Sequence, residues 1–102
     1  MLLVEHKWYR LNDTNVSRLP HAAGAYELAG SGIVVVYIGG AADLERQIRS
    51  HIKDPGNPCV ASKAFFFRFE LTSTPMDRAR ELVAAFAAGR YGILPECMQG
   101  PP

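Results

Sequence analysis

The chain has little of several features that mark common protein classes. Its cysteines, Cys59 and Cys97, number only two, and they have neither metal-site nor redox-motif spacing. We therefore expect free thiols in a reducing compartment and no structural zinc site. No apolar run approaches the roughly 18 to 20 residues that a membrane helix needs, because the longest, residues 32–40, is the length of a strand. The first residues also lack the layout of a signal peptide, so we predict a cytoplasmic protein with no membrane partner.

An excess of charge of one sign is absent too. The formal net charge is +1, from 11 lysines and arginines against 10 aspartates and glutamates. Proteins that hold nucleic acid through its phosphates usually carry a clear basic excess or a basic face. Here only a local basic cluster is present, which we predict to bind phosphate or nucleic acid: Arg46, Arg49, Lys53, Lys63 and Arg68. Such binding is expected to be weak and to tolerate many sequences.

What the chain does have is the composition of an ordinary globular domain, with 48% hydrophobic and 21% charged residues. A length of 102 residues supports one domain with a modest core, and the sequence contains no internal repeat. We predict a single domain over residues 1–102, with its core at about residues 20–98 and a frayed tail over residues 99–102.

The strongest local pattern is a β-hairpin. Residues 24–30 and 33–39 are rich in β-forming side chains, and Ser31-Gly32 between them predicts a two-residue loop in which glycine supplies the positive φ angle. In that register Tyr26 lies directly opposite Tyr37. Because side chains alternate, one face is predicted to carry Tyr26, Leu28, Val35 and Tyr37, and the other Val34, Val36 and Ile38.

Helices and one further strand are predicted to follow the hairpin. Asp43 can cap a helix on which Gln47 and His51 lie one turn apart and can reach a common ligand. The predicted elements are a helix over residues 44–53, a strand over residues 64–71 and a helix over residues 75–88. A short strand and a helical turn precede the hairpin as an N-terminal appendage. The fold class is therefore α+β, a small three-stranded antiparallel sheet flanked by helices in the order ββαβα.

One motif spans the hairpin and the helix that follows it. Gly24-Ala25-Tyr26 is followed by ten residues, by Tyr37-Ile38-Gly39, and then by Gln47 and His51. This arrangement resembles the GIY-YIG nuclease domain, which occurs in phage homing endonucleases, in the excision-repair incision enzyme and in small stand-alone bacterial proteins. The family pattern is Gly-Ile-Tyr, ten or eleven residues, Tyr-Ile-Gly, and a helix with arginine four residues before histidine or tyrosine. The resemblance implies a GIY-YIG-like fold and metal-dependent cleavage of phosphodiester bonds.

Carried onto this chain, the resemblance implies a catalytic set of Tyr26, Tyr37, Gln47 and His51. The two tyrosines would activate or position the attacking water, and His51 would assist. Gln47 stands where the family has a catalytic arginine. Glutamine can donate hydrogen bonds to a phosphate but brings no charge, so the missing cation is expected to weaken transition-state stabilisation by several kcal/mol.

The resemblance also implies a glutamate on the last helix that binds Mg²⁺ or Mn²⁺. Glu81 matches this position in one alignment. A second alignment, anchored on Ala79 and Leu82, places the position at Val83 and leaves no metal ligand. The late asparagine of the family falls on Met98, which is a second loss.

Three functions are compatible with these observations. The first is a GIY-YIG nuclease-like domain that is impaired in catalysis but retains phosphate or nucleic-acid binding, with DNA favoured over RNA. The second is an active metal-dependent endonuclease in which Gln47 is tolerated or engineered. The third is a protein-interaction module or homo-oligomer that uses the surface around Phe66 and the Trp8-Tyr9 segment and binds no nucleic acid.

Overall fold

The computed structural model describes residues 7–53 and 56–99. Its strands are β1 (Tyr9–Arg10), β2 (Gly24–Ala29), β3 (Val35–Ala41) and β4 (Phe66–Leu71). Its helices are α1 (Asp13–Val16), α2 (Leu44–Lys53), α3 (Pro58–Lys63) and α4 (Pro75–Ala88), with 3-10 turns at Ser31–Ile33 and Glu96–Met98. Among these ranges no helix is long and apolar enough to cross a membrane. Of the frayed tail predicted for residues 99–102, residues 100–102 lie outside the described residues.

The described strands form one antiparallel sheet in the order β1-β4-β2-β3. The predicted α+β class, with helices that flank an antiparallel sheet, is confirmed. The predicted count of three strands is one too low, because the short strand of the N-terminal appendage joins the sheet. Tyr9 pairs with Phe67, and Arg10 pairs with Phe66.

Helices cover both faces of the sheet. On one face, α1, α2 and α3 pack over a core whose buried residues include Val16, Leu44, Ile48 and Val60. On the other face, α4 lies across β2 and β3 and packs Ala79 and Leu82 against Ala25 and Ile38. We call these the α2 face and the α4 face. Because both are covered, β2 is buried at every position.

The predicted hairpin register is wrong by two residues. Tyr26 pairs with Gly39, and Tyr37 pairs with Leu28. A shift of two residues preserves the face to which a side chain points, so both tyrosines still lie on the α2 face. They are diagonal neighbours and not directly opposed partners.

The reason for the shift is a longer hairpin loop. A 3-10 turn at Ser31–Ile33 extends the predicted two-residue connection, and the Gly30 N–H donates to the Val34 carbonyl at 2.9 Å. Two successive residues have positive φ angles, 73° at Gly32 and 58° at Ile33. Isoleucine rarely adopts that conformation, so the sequence gives no signal for this loop.

A β-bulge at Val36 corrects the predicted faces of β3. Ala29 pairs with Val35, whereas the next residue back, Leu28, pairs with Tyr37, which leaves Val36 as the extra residue. Val36 therefore belongs to the α2-face core, and Val35 packs on the α4 face beside Ile38. The prediction had placed these two valines the other way round.

The prediction of free thiols is wrong as well. Cys59 and Cys97 form a disulfide, with their Cα atoms 5.4 Å apart. The bond joins α3, a helix that the proline-rich sequence did not predict, to the Glu96–Met98 turn. Asn57 starts α3 by accepting hydrogen bonds from the N–H groups of Cys59 and Val60 at 3.0 and 3.3 Å. The cytoplasmic location stays a prediction.

Candidate active site

Two phenols and one imidazole meet on the α2 face. Tyr26 of β2 is 1% exposed, and its hydroxyl oxygen lies 2.8 Å from Nε2 of His51 on α2. The ring of Tyr37 on β3 stacks on Tyr26 with a centroid distance of 6.2 Å and meets the His51 ring edge-on at 5.2 Å. The structure thus brings these three predicted residues into mutual contact.

Gly39 makes this packing possible. The Tyr26 ring lies directly over its cross-strand partner, so a Cβ atom built on Gly39 stands only 2.7 Å from both Cζ and the hydroxyl oxygen of Tyr26. Any side chain at this position would push the phenol away from His51. The glycine of the Tyr-Ile-Gly segment is therefore required by the position of the ring.

Burial keeps the hydrogen-bonded pair neutral near pH 7. Removal from water, reinforced by the neighbouring Tyr37, raises the pKa of Tyr26 well above its usual value of about 10. Burial also lowers the pKa of His51 below its usual value of about 6.5. Two neutral groups at 2.8 Å share one proton, so the Tyr26 hydroxyl donates to His51 Nε2. The imidazole is then poised to accept that proton.

Gln47 joins this network from the preceding turn of α2. Its side chain is near enough to the Tyr26 phenol to lower the pKa of Tyr26, which partly opposes the effect of burial. An amide N–H directed at the phenol has this effect, because it favours the phenolate. Where the resemblance implies a cation, the chain has a neutral donor that already contacts Tyr26. We call Tyr26, Tyr37, Gln47 and His51 the tyrosine site.

A shallow groove runs along α2 beside Gln47 and is lined by Ala42, Asp43, Arg46, Gln47 and Ser50. Arg46 is exposed, and its guanidinium makes no hydrogen bond or ion pair with the residues that the structure describes. Of the predicted basic cluster, this side chain has its charge available to a ligand in the groove.

The other members of the basic cluster are already paired with carboxylates. The exposed or half-exposed pairs are Arg49 with Asp13 and Glu45, Lys53 with Asp13, and Lys63 with Glu96. Arg68 is 8% exposed, is hydrogen-bonded to Glu27 at 2.8 Å and stacks on the Trp8 ring. Its predicted place in a basic binding cluster is corrected by the fold, because Arg68 is buried against Glu27 and the Trp8 ring. Arg68 is therefore not part of an accessible binding surface.

The structure does not bring Glu81 to the tyrosine site. Glu81 lies on α4, which packs on the opposite face of the sheet from Tyr26. Its side chain is 67% exposed and pairs with Arg78, one turn earlier, at 3.1 Å. The alternative position, Val83, is half-buried against Ala25 and Ile38. Met98, at the late asparagine position, packs on that same α4 face, where its sulfur lies 3.2 Å from the Ile38 N–H.

Comparison with known proteins gives a clear answer for the fold. No family model and no curated protein matches the chain. Among solved structures it is similar to the magnesium-bound N-terminal GIY-YIG endonuclease domain of UvrC from Thermotoga maritima. The TM-score is 0.61 at 21% identity, over 84% of this chain and 93% of that chain. Two point mutants of that domain, each bound to its catalytic divalent cation, match at 20% and 19% identity with TM-scores of 0.61 and 0.62. The chain has the GIY-YIG fold.

Within this GIY-YIG fold, the donor groups at the tyrosine site do not suit the divalent cation that the relatives bind. The groups that meet there are phenol, imidazole and carboxamide. Mg²⁺ and Mn²⁺ prefer carboxylate and carbonyl oxygens, and Glu81 faces solvent from the other side of the sheet. The tyrosine site alone is therefore not a metal centre.

Sequence reasoning missed one cluster in the GIY-YIG fold. His21, which precedes β2, meets Asp43 and Glu45 at the start of α2, and one ligand atom of each lies within 4.8 Å of the others. The predicted hairpin carried the signal for this contact, because an antiparallel hairpin brings the start of its first strand beside the end of its second, as Gly24 and Ala41 show. Residues just before β2 and just after β3 must then be neighbours. We call His21, Asp43 and Glu45 the acid–histidine cluster.

Proposed function

We propose that the chain is a nuclease-like GIY-YIG domain that binds nucleic acid weakly through the α2 groove and is impaired in phosphodiester cleavage. The observation that supports this proposal is the tyrosine site itself: a neutral Tyr26–His51 pair that can accept a proton, beside a glutamine in place of a cation. The site keeps the parts that handle the proton and lacks the part that neutralises the phosphate.

The retained part is a short proton relay. A water placed at the Tyr26 oxygen can give up a proton to it as the Tyr26 hydroxyl proton passes to Nε2 of His51. The relay requires a neutral imidazole, which the burial of His51 favours. No free phenolate is needed, and the raised pKa of Tyr26 would make one scarce.

The absent part is positive charge next to the reacting phosphate. Gln47 can donate one N–H to a phosphate oxygen, but a neutral donor stabilises the extra charge of the transition state less than an arginine does. Loss of a single such group commonly lowers turnover by about 10²–10³-fold. Arg46, one residue along the helix and without an ion pair among the described residues, supports binding of the phosphate in the groove and not its cleavage.

The test of impaired cleavage is a plasmid-nicking assay. The natural chain and the Gln47→Arg variant are incubated with supercoiled plasmid in Mg²⁺ or Mn²⁺, with metal-free samples as controls. We expect no nicking above the controls for either protein, because the arginine alone supplies no metal ligand beside Tyr26. Nicking by the natural chain would establish the alternative of an active endonuclease. Nicking only by the Gln47→Arg variant would show that the glutamine is the sole defect.

The test of binding is the fluorescence anisotropy of labelled single-stranded and duplex DNA at two salt concentrations, with RNA as competitor. Replacing Arg46 by glutamine should weaken binding and flatten its salt dependence, because one phosphate contact is lost. The matched control is Arg80→Gln, since Arg80 is also exposed but lies on α4 and pairs with Asp77. Equal effects of the two variants would contradict a binding site in the α2 groove.

A protein-interaction function is the second candidate, and one observation favours it. The segment after α4 exposes apolar side chains, with Tyr91 fully exposed, Ile93 at 57% and Leu94 at 38%. The surface first expected to serve this function is less available, since Phe66 and Trp8 are half-buried. A homo-oligomer formed through the segment should show a concentration-dependent mass in light scattering that Tyr91→Ser reduces, with no salt-sensitive DNA binding.

A further inference from the structure

The acid–histidine cluster joins three different side chains around one point. His21 Nδ1 lies 3.1 Å from Asp43 Oδ2 and 4.0 Å from Glu45 Oε1. His21 is largely exposed, whereas the Glu45 side chain is only 13% exposed. The cluster therefore has an inner side formed by Glu45, and an open side at His21 and the partly exposed Asp43 from which a small ion can enter.

Both carboxylates are held in place by partners outside the cluster. Asp43 Oδ1 accepts a hydrogen bond from the backbone N–H of Arg46 at 3.1 Å. Glu45 Oε2 accepts one from the Nε–H of Arg49 at 2.6 Å. Each acid thus fixes one oxygen and directs the other toward His21. Outer partners of this kind commonly orient the ligands of protein metal sites.

The spacing of His21 Nδ1 from the two carboxylate oxygens suits a divalent transition ion. An ion about 2.1 Å from each of two ligands separates them by roughly 3.0 to 4.2 Å, depending on the angle between the bonds. The observed separations of 3.1 and 4.0 Å fall in that range. The two carboxylates suit Mn²⁺ and the imidazole suits Zn²⁺, so a site that offers both kinds of ligand can hold either ion, whereas Mg²⁺ and Ca²⁺ favour oxygen ligands alone. The two negative charges also outweigh the partial positive charge of the α2 N-terminus.

We propose that His21, Asp43 and Glu45 form a binding site for a first-row divalent transition ion such as Mn²⁺ or Zn²⁺. The neutral form of His21 supplies Nδ1, and each acid supplies the oxygen that faces it. Water completes the coordination on the exposed side. Binding replaces the contact between His21 Nδ1 and Asp43 Oδ2.

The position of this site gives it a role in phosphate binding at the α2 groove, and this role rests on the proposed function. Asp43, Gln47 and His51 are spaced by four residues and lie on one side of α2, and Asp43 and Gln47 line the same groove. An ion at Asp43 is therefore about one helical turn, roughly 5 Å, from the neutral Gln47. It supplies positive charge to a phosphate in the groove where the arginine is missing.

Metal binding is tested first without nucleic acid, on the untagged full chain, by calorimetric titration with Mn²⁺ and with Zn²⁺. We expect one ion per chain, bound more tightly than Mg²⁺. His21→Ala and Asp43→Asn should each weaken binding at least tenfold, whereas Glu81→Gln should leave it unchanged. Asparagine caps a helix as well as aspartate does, so Asp43→Asn keeps α2 intact.

The outcomes separate this inference from the proposed function. Absence of stoichiometric binding, binding that resists both cluster substitutions, or binding that Glu81→Gln removes would overturn the metal site. If Mn²⁺ binds as expected, DNA anisotropy with and without Mn²⁺ tests the link to the groove. An increase in affinity of several fold that Asp43→Asn abolishes supports the link. Mn²⁺ binding without any change in DNA affinity would support the metal site but contradict its role in phosphate binding.

Discussion

The two faces of β2 carry polar groups of opposite character at adjacent positions. On the α2 face, Tyr26 and His51 form a neutral hydrogen bond that is continuous, through Gln47, with an open groove. On the α4 face, Glu27 and Arg68 are cross-strand partners in a charged pair that is almost wholly buried. One residue step along the strand thus separates a group that can exchange protons from a group that is closed to solvent.

The difference shows which buried polar groups are candidates for chemistry. The Glu27–Arg68 pair has its charges matched and is covered by the Trp8 ring, so it has nothing left with which to bind a ligand. Burial favours the neutral forms of both Tyr26 and His51, and a charge on either residue would disrupt the pair. The pair also borders an accessible surface. Burial alone therefore does not identify a functional site. A buried polar group is a candidate when it borders an accessible surface and can still gain or lose a proton.

The largest effect is expected from breaking the ion pair on the α4 face. Glu27→Gln removes one charge and leaves Arg68 buried without a counter-ion. Loss of one partner of a buried pair typically costs about 3–5 kcal/mol in the free energy of unfolding. Urea denaturation measures this loss.

Its control is Glu81→Gln, the same substitution at an exposed residue, which should change the unfolding free energy by less than about 0.5 kcal/mol. The double variant Glu27→Leu with Arg68→Met should recover much of the loss, because it leaves no unpaired charge. A change at Glu27 as small as that at Glu81 would mean that the two faces do not differ as described.

An intermediate effect is expected from overpacking the α2 face. Gly39→Ala places a methyl group 2.7 Å from the Tyr26 ring. Overpacking of this kind typically costs about 1–3 kcal/mol, and displacement of the ring should break the bond to His51. Urea denaturation gives the stability, and the NMR shifts of the His51 ring report the hydrogen bond. Gly56→Ala is the matched control, since nothing lies within 4 Å of its added Cβ; equal losses would contradict the close packing of Tyr26 on Gly39.

Local patterns in the sequence predicted much of the α2 face. The bounds of α2 and its capping by Asp43 are confirmed, because a helix start and an apolar stripe are encoded within a few neighbouring residues. The shared face of Tyr26 and Tyr37 is confirmed as well, because strand alternation survives a register shift of two. These features depend only on residues close in the chain.

Features that depend on distant residues were not predictable in the same way. The pairing of Glu27 with Arg68 requires β2 and β4 to be neighbours, and the sequence alone placed Arg68 in a basic cluster predicted to bind phosphate. The Cys59–Cys97 disulfide joins residues 38 positions apart. The hairpin register depended on a positive φ at Ile33, which isoleucine seldom adopts. In each case the decisive contact is absent from the local sequence.

The smallest effect, and the most specific to the α2 face, is expected from pH. Because burial lowers the pKa of folded His51, the unfolded chain binds a proton there more readily than the folded chain does. The stabilisation by neutral His51 is therefore complete above the unfolded pKa of about 6.5 and is lost as the pH falls from there through the folded pKa. His51→Gln removes this dependence, so the difference in unfolding free energy between the natural chain and the variant should shrink on acidification. Urea denaturation from neutral to mildly acid pH measures it, and Glu81→Gln again serves as the control. A difference between the natural chain and His51→Gln that stays constant across this window would show that the imidazole is not held neutral, and the proton relay from Tyr26 would lose its acceptor.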